Sequence, residues 1–168
     1  MAVIGWLLAT WSVAAALSGP LVVDLERTDG TTVGLATYQG KPSVLFYEDR
    51  ASTSLNQSVK DAVWARAKRD GLETAANVIA VANIQAYDFF PARTFAVTFI
   101  SQLEKRIGIP ILLDLRGVLT AAPWNLPGDT GSVLLLDANG MIVSQQSGAL
   151  TKSDTDKLLG TLETLVKP

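Results

Sequence analysis

The residues best suited to chemistry fall in one short run: Tyr47, Glu48, Asp49, Arg50, Ala51, Ser52, Thr53 and Ser54. Two carboxylates beside an arginine can move a proton or hold an ion, and three neighbouring hydroxyls can bind or attack. Each route meets an obstacle. A serine needs a base before it becomes a nucleophile, and the chain has no histidine. Adjacent Glu48 and Asp49 need a third group across a cleft for acid–base work; Asp114, at the end of another expected strand, is the candidate. The chain also has no cysteine. That removes disulfide exchange, thiol peroxidation, Cys–His catalysis and the usual zinc and haem ligation from what its own side chains can do.

What remains at residues 47–54 is binding. The run ends a continuous apolar strand and begins a helix, and a helix N-terminus presents unpaired N–H groups that favour anions. Ser54 with Gln57 makes a capping-box pattern, so the hydroxyls serve either as caps or, with Arg50, as a site for a small anion or a peptide carboxylate. A second loop expected on this side holds Trp124 between Pro123 and Pro127, with Asn125 next to it. Trp124 is either a lid packed on the core or an aromatic anchor for a partner. Tyr87-Asp88-Phe89-Phe90-Pro91 reads as a buried passage from loop to helix. Asp137-Ala138-Asn139-Gly140 offers oxygen ligands but lacks the acidic spacing of a calcium loop. No cofactor or metal is expected.

The elements that place these residues follow from periodicity and turn chemistry. Two short apolar runs flank the turn pair Asp29-Gly30 and make a hairpin, and Gly40-Lys41-Pro42 launches the strand from Ser43 to Tyr47. From Ser54 the period becomes helical, with Leu55, Val59, Ala62, Val63 and Ala67 on one face and Gly71 as the stop. Asn77 to Asn83 is the next buried strand. Pro91 opens a helix in which Phe95, Phe99, Ile100, Leu103 and Ile107 recur at helical spacing and which Gly108 ends. A third core strand follows in Ile109-Pro110-Ile111-Leu112-Leu113-Asp114-Leu115. A hairpin then turns at Ala138-Asn139-Gly140, and Thr151 with Asp154 caps a last helix carrying Leu158, Leu159, Leu162, Leu165 and Val166. This order predicts a three-layer α/β/α sandwich on a mixed sheet.

At 168 residues the chain suits one domain, burying about two thirds of the surface of its unfolded form. Its 14 basic and 16 acidic residues form no basic stripe, which argues against nucleic-acid binding. Residues 1–23 carry no charge and include the apolar run Trp6 to Leu17 followed by Ser18-Gly19-Pro20. Residues 1–19 therefore read as a signal peptide or an N-terminal membrane anchor, ahead of a domain over 20–168. A helix over residues 1–18 would rise about 27 Å, just short of a bilayer's apolar thickness of about 30 Å. The expected location is periplasmic or otherwise exported, with inner-membrane anchoring through residues 1–18 as the alternative.

The segments from Asp24 to Asp49 and from Gly131 to Leu165 resemble the opening and closing segments of thioredoxin-like redoxins. The first carries the Asp29-Gly30 turn, the Gly40-Lys41-Pro42 turn and the first core strand. The pair Ser132–Gly140 and Gly148–Leu159 is similar to the cysteine-poor bacterial YtfJ-type proteins of that fold. The resemblance implies a thioredoxin-like fold with an N-terminal hairpin extension. In register with the family's reactive motif, Tyr47 matches its aromatic, Arg50 replaces a second aromatic, and Ala51 and Ser54 stand where the two cysteines belong. Ser132, after Gly131, stands where the family has a cis-proline. The implied function is a non-redox binding or accessory protein of the bacterial envelope. Its former active-site face would comprise Tyr47 to Ser54, Trp124, Asn125, Gly131 and Ser132, and the partner would be a protein or an extended peptide pairing beside Ser132. A carboxylate-dependent enzyme using Glu48, Asp49 or Asp114, and a purely structural remnant, are the alternatives.

Overall fold

The computed structural model describes residues 19–70 and 74–167. The expectations for residues 1–18 and for Gly71 as a helix stop lie outside the described residues. The strands are β1 (Asp24–Glu26), β2 (Thr32–Gly34), β3 (Ser43–Glu48), β4 (Asn77–Asn83), β5 (Ile111–Asp114), β6 (Ser132–Leu136) and β7 (Ile142–Ser147). They form one seven-stranded sheet in the order β2-β1-β5-β4-β3-β6-β7. β3, β4 and β5 run parallel, and the remaining pairings are antiparallel. Three helices cover it: α1 (Gln57–Asp70), α2 (Ala92–Ile107) and α3 (Lys152–Val166).

Side-chain alternation along the strands sorts the core into two faces. On one face, Val44 and Phe46 of β3 meet Val59 and Val63 of α1 and Leu158 and Leu162 of α3. Farther along the same face, Ile111 and Leu113 of β5 meet Ile100 of α2. On the other face, Leu45 and Tyr47 of β3, Ile79 and Val81 of β4, and Leu112 of β5 pack against Leu21, Leu35, Leu119 and Leu126. The third layer is thus built from the N-terminal segment, a 3₁₀ turn at Leu35–Tyr38 and the loop after β5, while all three α-helices share the opposite face.

Turn chemistry explains most boundaries. Asp29 accepts from the Thr31 N–H and hydroxyl to close the β1–β2 hairpin at Gly30. Asp137 does the same for β6–β7, accepting from the N–H groups of Asn139 and Met141. The latter bonds occupy the carboxylate that sequence inspection weighed, and set aside, as a calcium ligand. Gly108 ends α2 at φ 71°, a left-handed conformation that favours glycine. Thr151 and Asp154 form the reciprocal capping box expected for α3.

Three expectations about these elements fail. α1 starts at Gln57 after a run of turns, and Leu55, expected on its core face, is 45% exposed. In α2 the core face is Ile100 with the half-buried Val97 and Leu103, whereas Phe95 and Phe99 are 71% and 64% exposed and Ile107 is exposed as well. Phe89 and Phe90 are also exposed, so the segment before α2 is not a buried passage. Helical spacing identified a stripe but not the side of the helix that meets the sheet. No helix among the described residues is long and apolar enough to cross a membrane.

Candidate functional site

The end of β3 aims consecutive residues at opposite faces. Tyr47 points to the loop-covered face, where its hydroxyl donates to Asp114 Oδ2 at 3.0 Å. Asp114 is 1% exposed and also accepts from the N–H groups of Val118 (2.8 Å) and Leu119 (3.0 Å). Three donors thus satisfy a buried carboxylate and tie the loop after β5 to the sheet. Burial first, and then the charge of Asp114, push the Tyr47 phenol well above its ordinary value.

Glu48 points to the helix-covered face. Its Oε2 accepts from Lys60 Nζ at 2.6 Å, and Lys60 also donates to the Thr53 carbonyl at 2.7 Å and lies 5.9 Å from the centroid of the Phe46 ring. Thr53 Oγ1 stands 3.5 Å from the same Oε2. Glu48 Oε1 is buried without a hydrogen-bond partner. Burial pushes the Glu48 carboxyl up, against the pull of Lys60. Lys60 lies 12 residues beyond Glu48, and no local pattern in the sequence announces the pair.

Asp49 and Ser52 close the loop between strand and helix. Ser52 N–H donates to Asp49 Oδ1 at 2.8 Å, Asp49 N–H donates to Ser52 Oγ at 2.9 Å, and the Ser52 hydroxyl donates back to Asp49 Oδ1. This reciprocal pair replaces the expected Ser54–Gln57 box. Ser54 is exposed, and Gln57 bonds Asp61 instead. The cause is position: the chain turns at Asp49, with the Thr53 N–H bonded to the Asp49 carbonyl, so capping falls one turn earlier than the hydroxyl run suggests. Asn56, 1% exposed, fastens the start of α1 across the fold by donating to the Gly148 carbonyl and accepting from the Leu150 N–H. No signal in the sequence singles out Asn56.

Gly131 and Ser132 face this loop. Gly131 has φ 66°, and a Cβ there would stand 3.2 Å from Ser52 Cβ. Only glycine fits without displacement. Its carbonyl accepts from the Gly148 N–H. Ser132 is fully buried, pairs with Tyr47 of β3 and Ser147 of β7, and shares a 2.8 Å hydroxyl contact with Ser147. The Gly131 carbonyl, beside which an extended peptide is expected to pair, already accepts one bond from within the chain, that of the Gly148 N–H. Trp124 is half-buried against the loop-covered core, which favours its role as a lid, and Asn125 beside it is exposed with φ 47°.

The expected face is thus divided. Tyr47, Ser52, Gly131 and Ser132 are interior; Glu48 and Asp49 are half-buried and internally bonded; Arg50, Ala51, Thr53, Ser54 and Asn125 are exposed. Asp114 and Glu48 engage opposite faces of the sheet, so the two do not converge on one cleft. Asp49 is committed to Ser52. The site lacks an acid–base pair built from these three carboxylates. Among the described residues no cluster of His, Cys, Asp and Glu could hold a metal ion.

In sequence, no family model matches the chain and no curated protein matches it. In structure, the chain is similar to a protein of Chlorobium tepidum described as a thiol:disulfide interchange protein DsbE. Their TM-score is 0.63 at 18% identity, over 87% of this chain and 94% of that one. A DsbF homologue from Corynebacterium diphtheriae gives a TM-score of 0.62 at 17% identity, covering 85% of each chain. The pneumococcal exposed lipoprotein thioredoxin of Streptococcus pneumoniae gives 0.58 at 19% identity, over 86% of this chain and 99% of that one. A chain without a single cysteine has the thioredoxin-like fold.

Proposed function

We propose that the chain is an exported, non-redox thioredoxin-fold accessory protein of the bacterial envelope, which binds a protein partner through the exposed rim of the position where thiol enzymes react. The resemblance to YtfJ-type proteins belongs to this proposal. So does export, which is supported by the uncharged run at residues 1–23 and by the likeness to an exposed lipoprotein thioredoxin. The relatives described as disulfide exchangers need cysteines for that reaction, and this chain cannot perform it with its own side chains.

One observation carries the binding role. The loop over residues 49–54 is held in shape by the Asp49–Ser52 bonds, while Arg50 at its tip is exposed and in no ion pair among the described residues. A rigid loop offering a free guanidinium, with Ala51, Thr53 and Ser54 beside it, suits a carboxylate-bearing protein surface. The test is affinity capture from the envelope fraction with the full chain and its R50E variant. Loss of a specific partner in R50E, with thermal unfolding unchanged, supports the rim; unaltered capture places the partner elsewhere.

A further inference from the structure

The chain has five phenylalanines, and only Phe46 belongs to the core. Phe89, Phe90, Phe95 and Phe99 are 61%, 89%, 71% and 64% exposed. Phe95 and Phe99 lie in α2, and Phe89 and Phe90 in the loop immediately before it. The Arg93 N–H bonds the Phe89 carbonyl and the Phe95 N–H bonds the Pro91 carbonyl, so helical hydrogen bonding extends back into the loop that holds the first two rings. Phe95 and Phe99 follow at i, i+4 on one face, and Gln102 and Arg106 continue that face by further turns. Together the four rings leave on the order of 500 Å² of aromatic surface in water.

The charge left unengaged on α2 is positive. Glu104 is the only acidic residue of α2, and it is turned inward, accepting from Thr28 Oγ1 and from the Ile111 N–H. The nearby carboxylates Asp88 and Glu26 are both engaged by Arg93. Lys105 and Arg106 are exposed and in no ion pair among the described residues. We infer that the loop before α2 and the outward face of α2 rest on an anionic lipid bilayer, with the four rings in the interfacial zone and Lys105 and Arg106 on the headgroups. Charge complementarity selects this occupant. A second copy of the same face brings no unengaged carboxylate to the two cations, whereas acidic headgroups supply that charge across the whole contact.

The absence of cysteine makes the test direct. Gln102→Cys in the full chain carries an environment-sensitive fluorophore on the ring-bearing face, and Ser153→Cys on exposed α3 is the reference. Vesicles of phosphatidylethanolamine with phosphatidylglycerol are expected to blue-shift the label at 102 and leave that at 153 unchanged. Phosphatidylcholine vesicles should give a weaker response. The double variant F95S/F99S is expected to lower the vesicle-bound fraction about tenfold or more with circular dichroism unchanged, and R106E should reduce the preference for anionic lipid. Four results overturn the inference. One is an unchanged label at 102 with lipid. Another is a shift that follows protein concentration without lipid, which assigns the face to a second copy. A third is a label already in an apolar setting and unresponsive to vesicles, which assigns it to another segment of the chain. The last is full binding by F95S/F99S, which assigns attachment to residues 1–18.

Discussion

Tyr47 and Glu48 are neighbours in one strand, yet the two sides of the sheet treat them differently. Tyr47 enters a closed arrangement in which Asp114 accepts three hydrogen bonds and is left fully satisfied. Glu48 enters a looser one, in which Lys60 engages one carboxylate oxygen and the other is buried without a partner. The loop-covered face spends its polar groups on holding loops to the sheet. The helix-covered face keeps a carboxylate with one unsatisfied oxygen beneath the loop over residues 49–54, with Lys60 as its partner.

Removing the closed side should have the largest effect. Asp114→Ala leaves a buried tyrosine hydroxyl, the buried Leu119 N–H and the half-buried Val118 N–H without an acceptor, and we expect a loss of about 3 kcal/mol or more in urea unfolding. A loss below that of an ordinary surface substitution would show that the loop after β5 is not fastened through Asp114. Next is Gly131→Ala, expected to cost about 1–3 kcal/mol through its left-handed φ and its contact with Ser52. Because Ser52→Gly by itself removes the hydroxyl bonds to Asp49, the contact part is read as the coupling energy of a double-mutant cycle between the two positions.

Tyr47→Phe is expected to cost about 1 kcal/mol, leaving Asp114 with two donors. It also carries a pH signature. The folded state holds the Tyr47 proton more tightly than the unfolded state, so its stabilising contribution is present below the ordinary value of 10.0 and is lost as pH rises above it. Y47F should therefore unfold less steeply in alkali than the parent. Glu48 gives the smallest effect and a window at the acidic end. Its carboxyl is raised above 4.5, so the folded state binds that proton first, and stability falls as pH rises from 4.5 through the folded-state value. E48Q should remove that slope in acid titrations of thermal unfolding; a slope that persists would place its origin elsewhere.

Much of this arrangement was legible from residue order. The seven strands, the Asp29 and Asp137 turns, the Gly108 stop and the Thr151–Asp154 cap all rest on local chemistry, and each appears where local chemistry puts it. The cap of α1 was misplaced by one turn because three consecutive hydroxyls satisfy the same local rule, and only the path of the chain at Asp49 selects among them. The α2 stripe was assigned to the core because periodicity carries no information about direction; Val97, Ile100 and Leu103 win that contact by the docking of the whole helix. Lys60 and Asn56 were invisible for a related reason. Their partners, Glu48 and residues 148–150, are fixed by tertiary packing across 12 and more than 90 positions.

The proposed division of the loop over residues 49–54 into a structural joint and a binding rim is tested most directly by a paired measurement on Asp49→Ala and Arg50→Glu. Thermal unfolding and partner capture are recorded on both full-length variants. The account predicts that D49A lowers stability by about 1–2 kcal/mol through loss of the Ser52 cap, and that R50E keeps the parent's stability while losing the partner. Capture retained in R50E, together with D49A as stable as the parent, would contradict both halves of the claim.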